Sequence, residues 1–324
     1  MEVLKSAILL LVLVVISFSF NSCSVVDNVA YKSTARMIEG SSTELLTETD
    51  WNFFQSAIPG NIKFLEGLLE NGKNNEHLIA SLVKAYTGYA YGVHETNYLK
   101  DKILGNENSS HLSNAVLFYH RALEYGFKFL ELKGLPWKKL QMNINQPKKM
   151  ASMLRSKIGK KDKETLFFLG NALGSLANLQ KDNMRVVSSV PIIKAIYDRV
   201  CKESPHFQGG SCKMFYGIYE LSRPKLLGGN PKLGKKYFEQ GLKMYPKNSL
   251  IRLSYIQYYV VPNRNKKEFN KQMAILEKSR GEFEENRRKF SWGKDKKKSP
   301  IGLYNAIAFK RYSIYKKYKR KAFD

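Results

Sequence analysis

From Leu78 to Val93 the apolar residues Leu78, Leu82, Ala85, Tyr86, Tyr89, Ala90 and Val93 recur at helical spacing. Ser81, Lys84 and Gly88 fall on the other side of that helix. The same periodicity predicts helices over about 110–132, 138–157, 163–180, 186–203, 210–221, 232–245, 248–260, 266–289 and 299–320. Stop signals separate them: Gly105-Asn106, Gly134-Leu135-Pro136, Gly209-Gly210, Gly228-Gly229-Asn230-Pro231 and Pro262-Asn263. In Asn230-Pro231 the asparagine can cap the next helix, and the proline sits where its missing N–H costs nothing. No stretch alternates in the manner of a strand, so the expected fold is all-α.

A repeat emerges when the helices are laid over one another. Ile193, Tyr197, Val200 and Pro205 share their spacing with Gly234, Phe238, Gly241 and Pro246. Ala115, Tyr119 and Ala122 fit the first three positions. Small, aromatic, small and then proline is how the second helix of a tetratricopeptide repeat is written: small residues admit the paired helix and proline ends the turn. The step from Tyr197 to Phe238 is 41 residues, so the repeat is degenerate. The expectation is a solenoid of roughly ten to twelve helices over residues 48–324, with a concave surface.

The N-terminus adds a second kind of information. Lys5 precedes an unbroken apolar run from Ala7 to Ile16, and Ser22 stands before Cys23. The run is too short to span a bilayer and has the layout of a secretory signal. With its cysteine it resembles a bacterial lipoprotein signal. That resemblance implies removal of residues 1–22, acylation of Cys23 and a lipid-anchored tether over 23–47. Ser24 in place of Asp leans towards the outer membrane. The expected location is the periplasmic face of a bacterial membrane.

Formal net charge is +26, carried entirely by the part after Ser22. Export argues against a nucleic-acid partner and leaves anionic lipid headgroups, an acidic protein surface or an anionic solute. Much of the charge sits in Lys133–Lys163, expected as a solvated helix pair. Cys201 and Cys212, eleven apart, fit either a disulfide joining two helix ends or two buried thiols.

No catalytic constellation, P-loop or dinucleotide fingerprint occurs, and the histidines show no ligand-like pairing. The chain is therefore expected to be no enzyme, with no cofactor and no metal. Polar residues in apolar helices remain: Glu95 after the run Tyr86, Tyr89, Tyr91; Lys181 and Asp182 after a small-residue helix; Glu220 and Arg223 at another helix end. Such charges either pair to fix helix ends or line a cleft. In a cleft, Lys181 or Arg223 would meet a solute carboxylate while Tyr86 and Tyr89 cover its apolar part. The last helix, Leu303 to Arg320, interleaves tyrosines with lysines and is expected to cap the solenoid, its basic flank facing headgroups.

Taken jointly, Ile58–Leu69, Ala85–Glu95, Tyr119–Gly126, Leu179–Asp182, Tyr219–Pro224, Leu227–Pro231, Tyr258–Pro262 and Asn305–Ala308 make the chain resemble the TatT component of TRAP transporters. That family consists of tetratricopeptide-like periplasmic lipoproteins. The resemblance implies a homotrimer and a TRAP-type periplasmic solute-binding protein as partner. It also implies a hydrophobic or organic-acid solute held in a helical cleft. The basic Lys133–Lys163 segment departs from the family pattern. The alternative is a scaffold lipoprotein for envelope assembly, with a groove for peptides.

Overall fold

A computed structural model describes residues 31–288 and 299–323 of the chain. The signal segment and Cys23 lie outside the described residues. Helix α1 occupies residues 31–41 and runs into a 3-10 turn, Ser42–Thr47. There follow α2 (Trp51–Glu70), α3 (Glu76–Tyr89), α4 (Glu95–Ile103), α5 (Ser110–Leu132), α6 (Trp137–Gln141), α7 (Pro147–Lys157) and α8 (Lys163–Leu179). Then come α9 (Met184–Val187), α10 (Val190–Glu203), α11 (Ser211–Ser222), α12 (Pro231–Met244), α13 (Ser249–Tyr255), α14 (Lys266–Arg288) and α15 (Gly302–Lys317). Among the described residues there is no strand, and the fold is all-α.

Side-chain caps start several of these helices. Asp50 Oδ1 accepts from the N–H groups of Asn52 at 2.8 Å and Phe53 at 3.1 Å. Asn230 accepts from Leu233 N at 3.0 Å, with Pro231 at the first helical position. Each such cap contributes about 1 kcal/mol. The small–aromatic–small pattern is a packing rule here. A Cβ on Gly217 of α11 would lie 2.6 Å from the Phe238 ring of α12. One on Gly170 of α8 would lie 2.8 Å from Ile196 and 3.1 Å from the Tyr197 ring of α10. The aromatic residue of the second helix thus seats on a glycine of its partner, and any side chain there would force the pair apart.

Helices pack in chain order, as in a repeat solenoid: α2 on α3, α3 on α5, α5 on α8, α8 on α10, α11 on α12, α12 on α13. The series then closes. Helix α15 packs on α13 and α14 and also on α2, α4 and the 42–47 turn, so the last helix meets the first ones. The capping role expected of it is therefore corrected. Residues 302–309 are all buried, as are Arg311, Tyr312 and Tyr315. With neighbours on so many sides it leaves only its last turns to solvent.

Other boundaries shift for local reasons. The single helix expected over 138–157 is two, because Pro147 begins α7 and residues 142–146 form the turn before it. Helices α3 and α13 each run into a wide π-turn, Ala90–His94 and Ile256–Val260. Part of the segment expected as a tether is docked on the body. Ala35 is buried, Tyr31 Oη donates to Leu68 O at 2.6 Å, and Glu39 meets His77 Nδ1 at 2.5 Å.

Candidate ligand cavity

The helices surround a cavity of about 2310 Å³ with mostly apolar walls. Its polar residues come from stripes on helices that are otherwise buried. Ser81, Lys84 and Gly88 of α3 line it, so the side of this helix opposite its apolar stripe is a cavity wall. On α8 the stripe is Asn171, Gly174, Ser175 and Asn178, continued by Lys181 beyond the helix end. Residues three and four apart share a helix face, which is why each stripe holds together. Phe167, Tyr197, Phe215, Ile307 and Phe309 supply apolar surface.

Several charges on the wall are paired. Lys84 Nζ lies 3.3 Å from Glu164 and 2.5 Å from Ser42 Oγ, with the side chain almost wholly buried. Arg287 binds Asp50 at 2.9 Å, joining the end of α14 to the cap of α2. These contacts, with the Asn52 and Phe53 N–H bonds, hold the Asp50 carboxyl below the usual carboxylate range, backbone bonding contributing most. Lys181 has no ion-pair partner among the described residues and remains available to a ligand.

Two tyrosines on the wall, Tyr91 and Tyr258, each come from a π-turn. π-turns occur often at functional sites because they release a main-chain carbonyl. Here Tyr91 O accepts from Arg311 Nη2 at 2.8 Å and from Thr96 Oγ1 at 3.3 Å. Arg311 Nε donates to that same Thr96 hydroxyl at 3.0 Å, and its guanidinium stands 4.4 Å over the Tyr91 ring. Burial pushes the Tyr91 phenol up. Burial opposes the Arg311 charge, but Tyr91 and Glu95 outweigh it and keep the guanidinium protonated. Asn178 Nδ2 donates to Tyr258 Oη at 3.1 Å, while its own Oδ1 is buried without a partner. A ligand donor would satisfy that atom.

The residues expected to form the site are divided. Lys181 and Arg223 line the cavity, while Tyr86, Tyr89, Glu95 and Glu220 do not. Tyr86 Oη donates to Glu66 at 2.5 Å, and its ring stacks on Phe118 and Tyr125. Burial and that bond push its phenol up to about 12. Tyr89 packs on Phe118 and His94. Glu95 is buried and accepts from Tyr119 Oη at 2.5 Å. Arg223 pairs with Glu220 at 3.0 Å, donates to the carbonyls of Tyr219 and Leu227, and stacks on the Tyr219 ring at 3.7 Å. Glu220 also accepts from Asn230 N, so this pair braces the turn before α12. Cys201 and Cys212 are bonded at 2.06 Å, linking the end of α10 to the start of α11.

Sequence reasoning passed over Asn178, Tyr258 and Arg311 as site residues. Tyr258 opens a motif that carries the family resemblance, Asn178 stands just before another, and Arg311 was one cation among many in a basic helix. Among the described residues no group of three His, Cys, Asp or Glu side chains could hold a metal ion. None of their helices is long and apolar enough to cross a membrane.

A family model described as TRAP transporter T-component matches residues 47–284. No curated protein matches the chain.

Proposed function

The chain belongs to the TRAP transporter T-component family, whose members are accessory transporter subunits, and on that premise we propose that it holds the transported solute in its helical cavity. The solute is hydrophobic or an organic acid, and the protein docks the TRAP-type periplasmic solute-binding protein. It does so as a homotrimer held at the periplasmic face of the membrane, the outer one by preference, through acylated Cys23. The reading assigns it no catalysis. The observation that carries the proposal is the cavity itself: about 2310 Å³ of mostly apolar wall, with polar stripes on its helices and Lys181, which has no ion-pair partner among the described residues. Such a site buries an apolar body and fixes a polar head. Family membership favours this reading over a peptide scaffold.

The test fills the cavity without disturbing the helices. Gly88 lines the cavity, and a Cβ there meets nothing within 4 Å. Full-length protein is purified from membranes, and its bound small molecules are extracted and identified by mass spectrometry. The expected result is a hydrophobic or carboxylic compound that is lost from Gly88→Leu while helical content stays the same. Equal recovery from both proteins would refute the cavity as the holding site.

A further inference from the structure

A second cavity, about 780 Å³, lies between α7 and α10 and is walled by the basic Lys133–Lys163 segment and by α10. Six cations line it: Arg155, Lys160, Lys163, Lys194, Arg199 and Lys202. Only two carboxylates do, and each is already engaged. Asp198 pairs with Lys194 at 2.6 Å and accepts from Tyr216 Oη at 2.7 Å. Glu203 pairs with Arg199 at 2.5 Å. Arg155, Lys160, Lys163 and Lys202 are left with no carboxylate partner among the described residues; Lys163 donates to Ser204 Oγ at 3.2 Å and stands 5.7 Å over the Phe207 ring. Arg199 also spends a bond on Ile158 O at 2.8 Å, and its Nε–H stays buried without an acceptor.

Four uncompensated like charges around one concavity repel one another, and a multiply charged anion relieves them all at once. A lone carboxylate would neutralise only one. The walls also carry apolar surface from Met150, Ala195 and Tyr219, enough to take an organic part. We infer that this cavity is a binding site for a phosphate-bearing ligand, either a soluble organic phosphate or the phosphate of a lipid headgroup. The site is separate from the solute cavity and does not rest on the transport reading. Tyr219 lines both cavities and stands between them.

Inorganic pyrophosphate is the probe, titrated calorimetrically into the full-length protein. The expected result is saturable binding that weakens with salt. It should fall by at least about tenfold in Lys160→Gln/Lys202→Gln, since each lost contact is a charge-assisted bond. Both residues are exposed, so the fold does not depend on them. Lys232→Gln/Lys236→Gln removes the same charge from the exposed face of α12, away from the cavity, and should leave binding unchanged. Short-chain phosphatidic acid that displaces pyrophosphate, where short-chain phosphatidylcholine does not, makes the lipid headgroup the source. Pyrophosphate held against both makes it a soluble phosphate. Absence of saturable binding, an equal loss in the two double variants, or displacement by an equal amount of citrate would overturn the assignment.

Discussion

Arg311, near the end of the last helix, donates from Nη2 to the main-chain carbonyl of Tyr91 at 2.8 Å, across 220 residues of sequence. That carbonyl belongs to the Ala90–His94 π-turn, and Tyr91 is a wall residue of the large cavity. The contact therefore ties the closure of the fold to the shape of the site.

Arg311→Met should lower stability by roughly 2–4 kcal/mol, because it leaves a buried carbonyl with only its longer Thr96 bond, removes the donor to the Thr96 hydroxyl and takes away a cation that Glu95 faces. Urea unfolding followed by circular dichroism measures this. An unchanged midpoint would show that the π-turn holds without the guanidinium.

Arg223 is committed to Glu220, two carbonyls and the Tyr219 ring, so its role is to brace the turn. Arg223→Met is expected to cost about 1 kcal/mol, since the ion pair is partly exposed. Hydrogen exchange should rise locally over residues 223–230, with the co-purified solute retained. Loss of the solute with exchange unaltered would instead make Arg223 a direct ligand contact.

His94 is buried beside His111, and neither of its ring nitrogens has a hydrogen-bond partner. Burial, helped by the His111 charge, pushes its pKa down to about 4 from an ordinary 6.5. Between those values the unfolded chain takes up a proton that the folded one refuses. Stability is therefore whole above about pH 6.5 and falls as the pH drops towards 4, by on the order of 3 kcal/mol. In His94→Phe this part of the acid limb should flatten, as read from urea midpoints across the range. A limb of unchanged slope would assign the loss to other groups.

The bond between Cys201 and Cys212 closes a short loop, and reducing it should cost about 2–3 kcal/mol by the chain-entropy argument. A thiol count on unfolded, unreduced protein should find neither sulfur reactive. Two reactive thiols would leave these residues as buried cysteines.

Much of the fold was legible because local chemistry and packing agree. Asn230-Pro231 announces a helix start and delivers it. The small–aromatic–small spacing around Tyr197 and Phe238 marks where helices touch, and the ring of each lies against a glycine of the neighbouring helix. The site was less legible, for a physical reason. Periodicity reports that Ser81, Lys84 and Gly88 share a face, but a polar face towards an internal cavity reads the same as one towards bulk water. Tyr86 and Tyr89 are three apart and share a side, whereas Tyr91 is about 140° round the helix from Tyr86 and reaches the cavity. The π-turn that carries it has no sequence signature of its own. Arg311 was hidden because burial of α15 depends on contacts with α2 and α4, more than two hundred residues upstream.

The return of α15 to the beginning of the chain has a consequence for biogenesis. A polypeptide built as far as residue 301 already contains every earlier helix pair, yet nothing fills the gap between α2 and α13. Helix α15 follows all of them, so a chain that lacks it presents an open greasy trough. Quality-control proteases would thus meet a clear difference between a molecule with α15 in place and one without it.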